Sequence, residues 1–124
     1  MIDLAQHAGL GPIQSHDIAE RQEVPEPYLN QLLTLLRKAG LIASRRGPGG
    51  GHFLARAANH ITLADVVTAL EGPVWTPDEA DDGRWESLEV VWEEVAAAVR
   101  TILDRVTLSD LLERERTRDL TYQI

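Results

Sequence analysis

The sequence predicts a mainly α-helical protein with one small β-hairpin and a long helix that needs a partner. Three observations carry this. Leu29, Leu32, Leu33 and Leu36 recur at i, i+3, i+4 and i+7, one buried stripe of a helix. Two short β-type runs, LIASRR and HFLAR, flank the tip GPGGG. Finally Trp85, Leu88, Trp92, Val95, Val99, Ile102 and Val106 alternate spacings of three and four, a heptad seam.

The elements follow in order. MIDLAQHAG reads as the end of a helix, closed by Gly9 and Gly11-Pro12. SHDIAERQ follows, with Ser15 as its N-cap and Ile18 and Ala19 facing inward. EVPEPYLNQLLTLLRKAG has its prolines at the front, where a helix tolerates them, and Gly40 at its end. Opposite the leucine stripe lie Pro27, Gln31, Thr34 and Lys38, with Tyr28 at the flank. That face has no acid. Two short helices with a tight link, the second polar outside, read as a helix-turn-helix.

The glycine tip could cradle a phosphate or turn a hairpin. A Walker-type loop needs Lys-Ser/Thr and a helix after its last glycine. Here His52, Phe53 and Leu54 follow, a strand-like run. The tip therefore turns a hairpin, and a hairpin placed directly after a helix-turn-helix is a wing.

ITLADVVTALEGP carries a capping box, Thr62 with Asp65, and an Ile61–Val66 staple, and Gly72-Pro73 ends it. VWTPDEADDG is a turn-rich acidic loop. The long helix then begins, with Val91, Ala96, Ala98 and Leu103 expected to widen its seam. VTLSDLLERE repeats the T-x-x-D cap, with Val106 and Leu111 as its staple, in a short terminal helix. Expected boundaries are a winged helix-turn-helix at 1–73, an acidic loop at 74–84, a dimerisation helix and terminal helix at 85–116, and a flexible tail at 117–124.

Charge is divided along the chain. The net charge is −8, but residues 1–73 hold 6 Lys/Arg against 7 Asp/Glu, while residues 74–124 hold 6 against 13. Between Pro27 and Ala64 there is no acid, and Arg37, Lys38, Arg45, Arg46 and Arg56 all fall inside. A local basic face on an acidic molecule is compatible with DNA, because phosphate attraction is screened beyond roughly 10 Å. With no cysteine, disulfides, Cys-ligated metal and thiol catalysis are excluded. No apolar run is long enough to span a bilayer and no signal-peptide pattern opens the chain, so a cytoplasmic protein with no membrane partner is expected.

The string IAERQEVPEPYLNQLLTLLRKAGLIASRRGPGGGHFLAR, followed by ITLADVVTALEGP, resembles the IscR/NsrR/CymR-type (Rrf-two) family of bacterial winged-helix transcription regulators. The likeness runs from about Ile2 to Pro73. It implies a homodimer whose long helices cross and whose winged helices meet a pseudo-palindromic operator on double-stranded DNA. By position, Tyr28 and Gln31, with Pro27 and Asn30, fall where the family's recognition helix enters the major groove. Arg46 falls at the wing arginine of the minor groove. Arg45, Gly49 and Gly50 belong with it, since glycines let a backbone approach phosphates.

The sequence departs from the family twice. Many members carry three cluster-ligating cysteines after the LEGP helix, and the loop here has none, so no iron–sulfur cofactor is expected. Members also extend further ahead of IDLAQHAG.

Blander readings stand beside these. Arg45 and Arg46 fit a solvated hairpin, and Gln31, Thr34 and Lys38 an ordinary polar face. Asp78, Glu79, Asp81 and Asp82 fit a solvated loop better than a cation site. His7, His16, His52 and His60 show no metal-ligand spacing, and no nucleophile–base pair points to an enzyme. The competing functions are a protein-interaction module that has lost DNA binding, and a sensor of a metal or an unknown small-molecule or protein effector between winged domain and dimer helix.

Overall fold

The computed structural model describes residues 1–72 and 86–122. Among these residues six α-helices, one short 3-10 helix (Ala58–His60) and one hairpin are arranged around an apolar core. Helix α1 (Ile2–Gln6) contributes Leu4 and Ala5, α2 (Ser15–Gln22) contributes Ile18 and Ala19, and α3 (Glu26–Lys38) contributes Leu29, Leu33 and Leu36. Leu32 lies only half buried at the margin of the stripe. Leu41, Ile42, Ile61 and Leu108 close the core.

The α2–α3 link is tight because Glu23 takes the left-handed conformation (φ 54°) and the Val24 amide reaches back to the Ala19 carbonyl at 3.1 Å. Ser15 does not cap α2 as expected. Gln14 stands at the N-cap position, and the Ser15 hydroxyl instead donates to Glu26 Oε1 at 3.1 Å, across the turn.

Strands β1 (Ile42–Arg45) and β2 (Gly51–Leu54) pair antiparallel with Arg45 opposite Gly51 and Ile42 opposite Leu54. The tip is a type II turn: Pro48 at its second place, Gly49 at its third with φ 76°, and the Gly50 amide bonded to the Gly47 carbonyl at 2.9 Å. Ile13 adds a bridge to the outer side of β2, exchanging two backbone bonds with His52 at 2.9 and 2.7 Å.

Helix α4 (Leu63–Glu71) begins at the expected capping box, in which the Asp65 amide donates to Thr62 Oγ1 at 3.1 Å and the Thr62 amide to Asp65 Oδ2 at 3.0 Å. Helix α6 (Leu108–Tyr122) begins at the second, with Thr107 and Asp110 making the same reciprocal pair at 2.9 and 3.1 Å. The two caps are joined. Leu63 N–H donates to Val106 O at 2.8 Å and Leu108 N–H to Ile61 O at 2.9 Å, so Thr62 and Thr107 face each other in an antiparallel bridge.

This junction corrects two expectations. Val106 is not on an open seam, since it is buried within its own chain. The terminal helix is also longer and more integrated than a short appendage: Leu108, Leu111 and Leu112 pack on the core. It passes 117, where a flexible tail was expected to begin, and continues to Tyr122.

Helix α5 (Glu86–Arg105) has two apolar faces. Ala96 is buried and Leu103 half buried on a narrow stripe, some 40° wide, that includes Glu89, and α5 packs on α4. Ala96 and Leu103 therefore serve the chain's own packing, where a widened seam was expected. The other face carries Leu88 (48% exposed), Trp92 (51%), Val95 (39%) and Ile102 (52%), with Val99 half buried among them. Trp85 and the acidic loop, including Asp78, Glu79, Asp81 and Asp82, lie outside the described residues.

Candidate nucleic-acid interface

The outer face of α3 is polar because the leucine stripe commits the other side to the core. Pro27, Tyr28, Asn30, Gln31 and Lys38 are exposed, Tyr28 at 54%. Thr34 is half buried, and its hydroxyl donates to the Asn30 carbonyl at 2.9 Å, within the helix. Its proton is committed to the backbone, leaving oxygen lone pairs to face outward. Leu35 stands on the same face, one turn beyond Gln31, and is 40% exposed. Sequence reading passed over it, although its place outside the stripe was the available signal.

The mouth of the helix holds Glu26, also passed over. It accepts from Ser15 Oγ, and His16 Nδ1 lies 3.5 Å from its other carboxylate oxygen. The one acid of the helix's first turn is thereby tied to α2.

In the wing, Arg45, Arg46 and Gly49 are exposed. Among the described residues neither arginine has an ion-pair partner, and the same holds for Lys38 and Arg56. Gly50 is different. It is buried, and a side chain there would put Cβ 2.1 Å from the Arg45 carbonyl oxygen. Its smallness is required inside the turn, where the sequence suggested an outward approach to phosphate. Gly51, at φ 150°, has the Ile13 backbone 2.5 Å from a Cβ position, so its smallness admits the Ile13–His52 bridge.

The wing and α3 are linked by a polar chain. Arg37 Nη1 donates to Ser44 Oγ at 3.3 Å, and Ser44 Oγ bonds His52 Nδ1 at 2.7 Å. Burial, then the neighbouring Arg37 charge, holds the His52 imidazole below its ordinary value. It is therefore neutral at physiological pH, and shares a hydrogen bond with Ser44 rather than repelling Arg37.

Helix α2 is itself anchored to α1 by an ion pair on a buried carboxylate. Asp3 is 4% exposed. Arg21 grips it with two bonds, at 2.9 and 2.8 Å, and Gln22 adds a third at 3.0 Å. The Arg21 guanidinium keeps the Asp3 carboxyl below the usual carboxylate range. This lashes α1 to the last turn of α2, and nothing local in the sequence announces a contact across 18 positions.

A helix-turn-helix with an acid-free outer face, followed by a hairpin whose arginines have no ion-pair partner among the described residues, defines a winged-helix protein. The chain belongs to the Rrf2 family, whose model, described as an iron-dependent transcriptional regulator, matches residues 1–114. It is 36% identical over 120 residues to the HTH-type transcriptional regulator IscR of Erwinia tasmaniensis, covering 93% of this chain and 73% of that one. Among solved structures it resembles CymR, the global cysteine regulator of B. subtilis, with a TM-score of 0.81 at 37% identity over 91% of this chain and 87% of that one. T. potens IscR gives 0.77 at 43% identity over 92% and 78%. These IscR and CymR proteins are transcriptional regulators.

Iron in the family description calls for ligands. This chain has no cysteine, and among the described residues no three His, Cys, Asp or Glu side chains stand together in a way that could hold a metal. The donor set does not fit a thiolate-held cluster. No helix among the described residues is long and apolar enough to cross a membrane.

Proposed function

We propose that the protein is a homodimeric, sequence-specific DNA-binding regulator that acts as a repressor on a pseudo-palindromic operator. The observation that carries this reading is the set of unpaired cations, Lys38, Arg45, Arg46 and Arg56, on an acid-free surface of an otherwise acidic chain. An acidic protein has anionic partners at hand for surface cations, and these have none among the described residues. Phosphate oxygens are the partner of matching chemistry.

Roles divide by geometry. Gln31 and Asn30, exposed in the first half of α3, can offer amides to base edges, and Gln suits adenine. Tyr28 sits at the flank, within reach of a phosphate. Lys38, two turns on, meets backbone. Arg46, next to the wing tip, suits the negative potential of a narrow minor groove, with Arg45 and Gly49 beside it. The apolar face of α5 (Leu88, Trp92, Val95, Val99 and Ile102) takes the same face of a second copy, and two copies present two winged helices to two half-sites.

The test is a binding titration on duplex DNA at several salt concentrations, followed by selection of bound fragments from the source genome. Affinity should fall steeply as salt rises, and selected fragments should share a two-fold motif. Absence of binding at low salt would favour a protein-interaction module instead.

A further inference from the structure

Behind the wing lies a cleft of about 490 Å³, within the range of small-molecule sites. One wall is the end of α1 and the turn that leads to Ile13. The other is the wing, with the segment that follows β2. The Ile13–His52 bridge joins the walls. Leu4, Pro12, Ile13 and Phe53 give the cleft an apolar lining. Its polar side chains are His7, His52, Arg45 and Arg56, and no acid lines it. In a chain of net charge −8, this is a cationic concavity with apolar walls.

We propose that the cleft binds a small organic anion with an apolar body, its acid group on Arg45 and Arg56 and its body against Phe53 and Ile13. Neutral His52 contributes hydrogen bonding rather than charge, so the arginines set the preference for an anion. A bare DNA phosphate would leave most of this volume unfilled. Occupancy by such an anion neutralises Arg45, the last strand residue before the wing tip, so it weakens association with duplex DNA. By linkage, duplex weakens anion binding by the same factor. The binding claim is independent of the proposed function, while the coupling rests on it.

The experiment titrates the full chain, without DNA, with anilinonaphthalene sulfonate, an apolar anion whose fluorescence rises on binding. Inorganic phosphate and uncharged phenylnaphthylamine serve as the other arms. The sulfonate should saturate, and Arg56→Ala should weaken it about tenfold, the worth of one charge-assisted hydrogen bond. Arg56→Lys should recover part of that loss, and Ala57→Trp, at an exposed position on the rim, should block the cleft. Signal that is unchanged in Arg56→Ala and Ala57→Trp, whose folding is checked by thermal melts, belongs to the α5 face and overturns the proposal. So does displacement of the sulfonate by inorganic phosphate at comparable concentration, which marks a DNA-backbone subsite. Equal binding of the uncharged compound overturns it too, because the arginines are then idle. Duplex added last should displace the probe. A chain that binds the probe but no duplex would sink the regulator reading and leave the cleft standing.

Discussion

The winged half and helix α5 satisfy their side chains in opposite ways. In the winged half the leucine stripe is covered by the chain itself, and the buried carboxylate Asp3 has three donated bonds. On α5 the narrow face is covered by α4, while the broad face of Leu88, Trp92, Val95 and Ile102 stays open. Net charge follows the same division. A chain that completes one core and leaves a heptad face bare is built to be finished by another surface, and the regular spacing fits a helix of like kind.

The strongest way to break this contrast is Val95→Asp. A carboxylate in an apolar seam costs several kcal/mol, so sedimentation should find monomers or unfolded chain. An unchanged dimer would place the interface elsewhere. Next in size is Asp3→Asn, which tests the self-completed half. Arg21 loses its charged partner, and the thermal midpoint should drop by the equivalent of about 2 kcal/mol, with oligomeric state unchanged. The pH dependence has a definite sign. Asp3 is held below its unfolded value of about 3.9, so its stabilisation is present above that pH and disappears as pH falls through the folded value. Parent and variant stabilities should converge in acid; a constant gap would mean the carboxylate charge is not what Arg21 uses.

A third pair of variants compares surfaces within the winged half. Gln31→Ala should relax discrimination at one operator position by roughly 1–3 kcal/mol with the salt slope nearly unchanged. Arg46→Ala should weaken many sequences alike and reduce the salt slope by about one unit, with Lys38→Ala behaving similarly. Equal binding by Arg46→Ala and the parent on operator and scrambled duplex would remove the wing from the interface. The smallest effect falls on the junction of the two regions. Thr62→Ala should cost about 1 kcal/mol in urea unfolding. Thr107→Ala should destabilise in the same direction. Because the caps share a backbone bridge, the double variant should depart from the sum, and strict additivity would show that the bridge does not couple them.

What was legible in the sequence was periodic or local. The leucine stripe, both T-x-x-D boxes, the Pro-Gly turn and the heptad face each depend on residues within a turn or two, where backbone geometry alone decides which side chains meet. Partners far apart along the chain were decided by the tertiary structure alone. It put Arg21 on Asp3, moved Val106 from the seam to the α4–α6 junction, and buried Ala96 within the chain's own packing. It also made Gly50 a packing requirement of the hairpin and closed a cationic cleft between α1 and the wing. The physical reason is common to all of these. Periodicity says that a face is apolar or a group charged, but which surface desolvates it is settled only when distant elements compete for the same volume.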